Sequence, residues 1–415
     1  MRRTDFPATR ALRPFDREAG GGDDGVDAGG LRAAVSGDGG RALWGGLARL
    51  EGLLPAPGLP HGPSRPVSGG RERPPGAGRA DGGPFGPDGG RRLVVGPRFD
   101  EPVATRGYAW WYVDALSDDQ RHGITLIAMI GNVFSPWYAG ARARSSAADP
   151  LDHCGLNVAL YGPRGRHWML TERRREHVHR ESDRLTLGPS RVEWNGGHFT
   201  FRIDEVTSPL PSRVRGVVRV YPSALASYRT ALDREGRHHW GPIAPHARVE
   251  VEMERPGLRW SGDGYVDANA GSAPLEDAFS GWSWSRAGIR GGTSVLYDVM
   301  RRDGTPHTLA LAFDASGDER TVPAPPRVAL PGTRWGLERS TRADANCQPA
   351  VLRTLEDTPF YARSLLDTRV LGTSTTAMHE SLSLDRFRSA WVRLLLPFRL
   401  PRAPRGFTRS DRQCR

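Results

Sequence analysis

The chain has 415 residues, enough for two or three domains, and carries a formal net charge of +11 with a pI near 10.3. It contains no lysine: all 58 of its Lys/Arg positions are arginine, scattered beside Gly, Ala and Pro, the signature of a GC-rich genome that explains the basicity without nucleic acid. Without a lysine amine, Schiff-base catalysis, pyridoxal phosphate attachment and P-loop nucleotide binding are excluded.

Residues 1–92 are dominated by Gly, Pro, Arg and Asp, in runs such as GGGDDG and GGRERPPGAGRADGGPFGPDGG. Too little apolar surface is available there to offset the entropy of ordering, so the segment is predicted to be disordered. Within it LWGGLARLEGLL, at 43–54, has the pattern of a short amphipathic helix, but its glycines favour a fluctuating apolar patch. The basic N-terminus lacks the continuous apolar core of a secretory signal, and no apolar run approaches bilayer-spanning length. A cytoplasmic protein is expected. Cys154, Cys347 and Cys414 have no short-spaced partners and are read as free thiols of a reducing compartment.

The most distinctive stretch follows at 107–138, GYAWWYVDALSDDQRHGITLIAMIGNVFSPWY. At a period of two, Tyr108, Trp110, Tyr112 and Asp114 share one face of a strand, while Trp111 and Val113 share the other. Both faces must therefore be covered. Beyond it come short alternating runs separated by Gly, Pro, Asn and Asp, among them GLNVALYG, FTFRIDEV, VRGVVRVYP, ARVEVEME, SGWSWSR and HTLALAFD, the pattern of an antiparallel β protein. So many strands predict one large barrel or two smaller ones in tandem, and the length favours two. The paired prolines of the GPIAP segment, 241–245, mark the expected seam, giving β domains at 93–244 and 245–385. The last segment, 386–415, mixes Trp, Leu, Phe and Arg as an amphipathic tail, suited either to a membrane interface or to docking as a helix.

Three strand-like pieces place a polar group two residues from an aromatic on one face: Trp110, Tyr112 and Asp114; His238 and Trp240; Tyr265 and Asp267. Capping a turn or pairing with a cation is the ordinary role for a lone Asp among aromatics. Asp267 resists that reading, because in GDGYVDANAG the neighbouring Tyr265 and Val266 demand burial. Histidines occur as HVH at 177–179 and as HH at 238–239, yet no HExxH motif or cysteine pair accompanies them, and no metal site is expected. Nucleophile-elbow and dinucleotide-loop patterns are absent as well.

Several long blocks in order, GYAWWYVDALSDDQRHG, DPLDHCGLNVALYG, HHWGPIAPHARVEVEME, LRWSGDGYVDANAG, YDVMRRDG, MHESLSLDRF and LLPFRLPR, resemble the acyclic carotenoid 1,2-hydratases, also called hydroxyneurosporene synthases. The resemblance spans about 97–405 and leaves the first ninety or so residues outside it. It implies two lipocalin-like β domains and a cofactor-independent lyase that adds water across the terminal C1–C2 double bond of neurosporene or lycopene. It also implies a catalytic set at His238, Trp240, Tyr265 and Asp267, with Asp267 as the acid. Trp110, Tyr112, Asp114, Trp282 and Trp284 are then candidates for the wall that holds the polyene. So apolar a substrate, with the C-terminal tail, predicts peripheral attachment to the inner or intracytoplasmic membrane. A non-catalytic lipocalin-like carrier of carotenoid or other lipid is the second reading, since it needs the aromatic cavity but no acid.

Overall fold

The computed structural model describes residues 96–163 and 165–403. The expected disordered extension at 1–92, the helical pattern at 43–54 and the end of the tail, 404–415, lie outside the described residues.

The chain is mainly β, as its alternating pattern requires. The first strands are β1 (Tyr108–Ser117), β2 (Gly123–Ile130), β3 (Gly155–Gly162) and β4 (Gly165–Leu170). Helix α1 (Pro136–Arg144) lies between β2 and β3; Ser135 Oγ caps it by accepting from the backbone N–H groups of Trp137 and Tyr138, both at 3.1 Å. Then come β5 (Val178–Arg180), β6 (Arg184–Leu187), β7 (Ser190–Trp194), β8 (Phe199–Val206) and β9 (Arg213–Pro222). β10 (Thr230–Ala231), β11 (His238–Arg255) and β12 (Leu258–Gly271) complete a 12-stranded antiparallel sheet. Its order is β4-β3-β2-β1-β12-β11-β9-β8-β7-β6-β5, with β10 on β11.

After the one-turn helix α2 (Leu275–Ala278) the chain enters a second sheet. β13 (Phe279–Ile289), β14 (Gly292–Arg301), β15 (Pro306–Asp314) and β16 (Glu319–Thr321) lead to a two-stranded ribbon of β17 (Arg327–Leu330) and β18 (Arg339–Arg342). β19 (Ala350–Asp357), β20 (Tyr361–Val370) and β21 (Thr373–Ser383) return to the sheet, whose order is β16-β15-β14-β13-β21-β20-β19. Helices α3 (Leu384–Arg388) and α4 (Ala390–Arg399) follow.

The change of sheet falls between β12 and β13, and not at the GPIAP segment. Pro242 and Pro245 lie inside β11, where the ladder to β12 shifts register between Pro242 and Ala244 and again between Ala244 and Ala247. Prolines cannot donate to a ladder, and the strand absorbs them as bulges instead of ending. These shifts have a use. Before them His238 and Trp240 face the interior shared with the second sheet; Ala244 between them, and Ala247, Val249 and Val251 beyond them, face the other core.

Each face of β1 meets its own core, as the double-sided aromatic pattern demanded. Trp111, Val113 and Ala115 pack with Ile124, Phe201, Val218 and Val266, all contributed by the 12-stranded sheet, which therefore curls around one apolar core. Tyr108, Trp110 and Tyr112 face the opposite way and pack with Trp240, Tyr265, Trp284, Tyr297 and Phe313 in a second core between the two sheets. Burying each such ring stabilises the fold by about 1.5–3 kcal/mol. It also creates a low-dielectric interior lined by two sheets.

Candidate active site

Long-range pairing of β1 with β12 assembles the site. Tyr112 stands opposite Asp267 and Asp114 opposite Tyr265, all on the face turned to the inter-sheet core. From the other side of β12, β11 brings Trp240 alongside Asn269 and Pro242 alongside Asp267. Trp240 and Tyr265 consequently converge on one carboxyl oxygen. Asp267 Oδ2 accepts from Trp240 Nε1 at 2.8 Å and from the Tyr265 hydroxyl at 3.1 Å.

Asp267 is 5% exposed. Burial pushes its pKa up to about 8; the two hydrogen bonds pull it down, and the charges of Glu380 and Asp114 push it up again. What sets it apart is the absence of a cation. Among the described residues eight carboxyl side chains are buried: Asp114, Glu172, Glu205, Asp233, Asp267, Glu276, Glu356 and Glu380. Arginines lie within 4.0 Å of every one except Asp267, namely Arg286, Arg402, Arg173, Arg237, Arg142, Arg399 and Arg363 respectively. Asp267 has neutral donors only, so its proton is retained in near-neutral solution.

The second sheet closes the site from above. Trp284 meets Tyr112 edge-on, ring centroids 5.7 Å apart, and leans on Tyr265 at 5.4 Å. Tyr297 meets Trp240 edge-on at 5.4 Å. Glu380 accepts from the Tyr112 hydroxyl at 2.8 Å and from Arg363 Nε and Nη2 at 2.9 and 2.7 Å. Arg363 Nη1 in turn donates to the Tyr161 hydroxyl at 2.8 Å. Asp114 receives Arg286 from β13, so one buried ion pair and the hydrogen bonds of Tyr112 and Tyr161 tie the sheets together across the aromatic interior.

His238 stands apart from this group. Its Nδ1 is hydrogen-bonded to the Tyr108 hydroxyl at 3.0 Å, its backbone N–H donates to Asp233 Oδ1 at 2.9 Å, and Nε2 is buried without a partner. Burial lowers its pKa to about 4, against the opposing charge of Asp233, leaving the imidazole neutral. Gly271, opposite His238, has to be glycine: a Cβ there would lie 2.7 Å from His238 Nδ1 and 2.5 Å from Tyr108 Cε1.

Of the sequence-predicted residues, Trp240, Tyr265, Asp267, Tyr112, Asp114 and Trp284 come together around one interior. Trp110 stacks on Tyr108, centroids 4.8 Å apart, toward the His238 end, and the half-buried Trp282 reaches Tyr297 at 6.4 Å. His179 is exposed and bonded to Glu181 at 2.9 Å. No cluster of three or more His, Cys, Asp or Glu suited to a metal occurs among the described residues. Sequence reasoning passed over Arg286, Tyr297, Arg363 and Glu380. They sit on strands remote in the chain, and only an alternation of polar with apolar residues inside buried strands, as in YARSLL and MHESLS, hinted at inward-facing charge.

A family model described as carotenoid hydratase CrtC matches residues 126–408. The chain is similar to an acyclic carotenoid 1,2-hydratase from Thiocapsa roseopersicina, 52% identical over 377 residues, covering 91% of this chain and 93% of that protein. A second, from Rubrivivax gelatinosus, is 48% identical over 405 residues, 97% of this chain and all (100%) of that protein. A third, from Cereibacter sphaeroides, is 41% identical over 280 residues, 67% of this chain and 98% of that protein.

Proposed function

The chain belongs to the carotenoid hydratase family, and we propose that it adds water across the terminal C1–C2 double bond of acyclic carotenoids such as lycopene with Asp267 as the proton donor. One observation carries the assignment of the acid: Asp267 is the buried carboxyl group among the described residues that has no arginine beside it. An isolated alkene is a very weak base, so its protonation needs an acid that stays protonated in a dry site and becomes strong only at the moment of transfer. Burial supplies the first condition. Trp240 and Tyr265 supply the second, because their donors strengthen as negative charge develops on Oδ2.

With Oδ2 receiving both donors, the transferable proton resides on Oδ1. Delivery to C2 leaves a tertiary cation at C1, and the faces of Trp240, Tyr265 and Trp284 stabilise it by about 0.5–2 kcal/mol per ring when water is excluded. Water then captures C1. His238, held neutral and anchored to Tyr108, shapes the far end of the same interior. A carrier would need the aromatic lining but has no use for an unpaired carboxylic acid.

Association with the membrane that stores the substrate completes the reading. No helix among the described residues is long and apolar enough to cross a bilayer. Helix α4 packs Val392 and Leu396 inward while Trp391, Leu394 and Phe398 are 41%, 72% and 74% exposed. That surface suits an interfacial contact. Incubation of the purified protein with lycopene, without added cofactor, tests the activity: a product heavier by one water is expected from the native chain and none from Asp267→Asn, whereas unchanged lycopene from both would point to a carrier.

A further inference from the structure

Asp114 uses only one of its oxygens to hold its arginine. Oδ1 accepts from Arg286 Nε at 2.7 Å and from Nη2, whereas Oδ2 is buried and without a hydrogen-bond partner. Directly opposite on β2 stands Thr125, fully buried, whose Oγ1 makes no hydrogen bond within 3.5 Å and has the Tyr161 hydroxyl as its polar neighbour. Residues facing each other across a ladder bring their Cβ atoms to about 4.5–5.5 Å, so an unpaired carboxylate oxygen and a hydroxyl are neighbours on one face. On the other flank Asp114 is opposite Tyr265 and diagonal to Asp267. Diagonal neighbours lie about 7–8 Å apart. Both carboxyl groups project from that face into the inter-sheet interior, one on each side of Tyr265 and Tyr112 in the ladder. Trp284, whose Nε1 is a third buried group without a partner, leans over the same place through its contacts with Tyr112 and Tyr265.

Buried polar atoms need partners, and an acceptor beside a hydroxyl suits one water molecule. We infer that Asp114 and Thr125 hold the water that attacks C1 and that Asp114 Oδ2 takes its proton, a role that rests on Asp267 being the acid. The step balances. Asp267 gives its proton to C2 as the π pair forms the C2–H bond; the water oxygen donates a pair to C1; the proton released from that oxygen passes to Asp114. Asp267 ends as a carboxylate and Asp114 as an acid, and proton transfer from the second to the first resets both. The two carboxyl groups thus divide the work, the one without a cation acting as acid and the one held by Arg286 acting as base.

Reaction with lycopene in D2O separates these roles, with hydrated product and deuterium in recovered lycopene both followed by mass spectrometry. In Asp114→Asn the deuteron still reaches C2, but the cation lacks a held nucleophile and reverts to alkene by losing a proton. Hydration should fall a hundredfold or more, while the ratio of deuterium uptake to hydration rises above that of the native enzyme. Thr125→Val leaves the Asp114–Arg286 pair in place and should raise the same ratio with about a tenfold loss of hydration; it decides the matter if Asp114→Asn does not fold. An unchanged ratio in Thr125→Val, or a folded Asp114→Asn that hydrates normally or neither hydrates nor exchanges, overturns the water site. Asp267→Asn should neither hydrate nor exchange, and exchange persisting in it would overturn the acid assignment, leaving the ratios at Asp114 and Thr125 to decide the water site.

Discussion

Trp240 Nε1 donates to Asp267 Oδ2 over 2.8 Å across the β11–β12 ladder, and this neutral donor occupies the place that arginine takes beside the other buried carboxylates. A neutral partner lets the acid keep its proton; an arginine would strip it away. The expected outcome for Asp267→Asn is therefore loss of hydration by a thousandfold or more, with the fold intact, since the amide can still accept from Trp240 and Tyr265. Circular dichroism together with product analysis checks both halves.

The pH dependence follows from the raised pKa of Asp267, about 8 against an ordinary 3.8. Hydration requires the protonated form, so the rate should be level near neutrality and decline as pH rises through about 8. Trp240→Phe removes a hydrogen bond that holds the pKa down, so its declining limb should move to higher pH. A limb that moves the other way, or not at all, would dissociate Asp267 from the titration.

Stability carries the same sign. Because the folded-state pKa lies above the unfolded one, the folded chain binds more protons between roughly pH 4 and 8, and this group's contribution to stability is lost as pH rises across that window, by up to about 1.4 kcal/mol per pH unit. Asp267→Asn removes that titration. Its melting temperature should consequently equal or exceed the native value at pH 8, and the difference should shrink toward pH 4.

How much of this was readable beforehand depends on the distance over which each feature is decided. Trp110, Tyr112 and Asp114 face one way on β1 because a strand's period of two is local, and the same rule puts Tyr265 with Asp267. The short turn between β11 and β12 is a local signal for their pairing, but the seam expected at 241–245 divided Trp240 from Asp267. Nothing local, however, pairs β1 with β12, some 150 residues on, or aims Arg286 and Arg363 across the interior. Pro242 and Pro245 read as a boundary for the same reason, since whether a proline ends a strand or bulges it depends on partners elsewhere.

The buried ion pair between neighbouring strands β20 and β21, which faces the first sheet, predicts a distinct kind of failure. Arg363 contacts Glu380 through Nε and Nη2 and the Tyr161 hydroxyl through Nη1, all buried. Arg363→Met would leave Glu380 as an uncompensated charge between the sheets and should cost about 3–5 kcal/mol, measured by urea unfolding. Arg363→Met combined with Glu380→Gln should recover much of that loss, because the charge left stranded by the single change is gone. Independent, additive losses would show that the pair does not act as a unit.

The proposed membrane attachment is tested by substitutions and not by truncation. Removing residues after Ser389 would delete Val392, Leu396 and Leu400, which are buried, the last two within the inter-sheet core, so lost binding would be inseparable from lost folding. Trp391, Leu394 and Phe398 are the exposed face of α4, next to the loop whose Ser208 Oγ donates to the Phe398 carbonyl at 3.1 Å. Trp391 also stacks on Trp335 at 6.0 Å, so it is left in place; replacing Leu394 and Phe398 by Gln and Ser should leave the melting temperature within a few degrees, because surface changes of this kind shift stability by about 0.5 kcal/mol or less. Co-sedimentation with liposomes should drop severalfold, and turnover of liposome-borne lycopene should drop with it, while turnover of detergent-dispersed lycopene stays near native. Equal loss in both assays would place the defect in the interior instead of at the membrane.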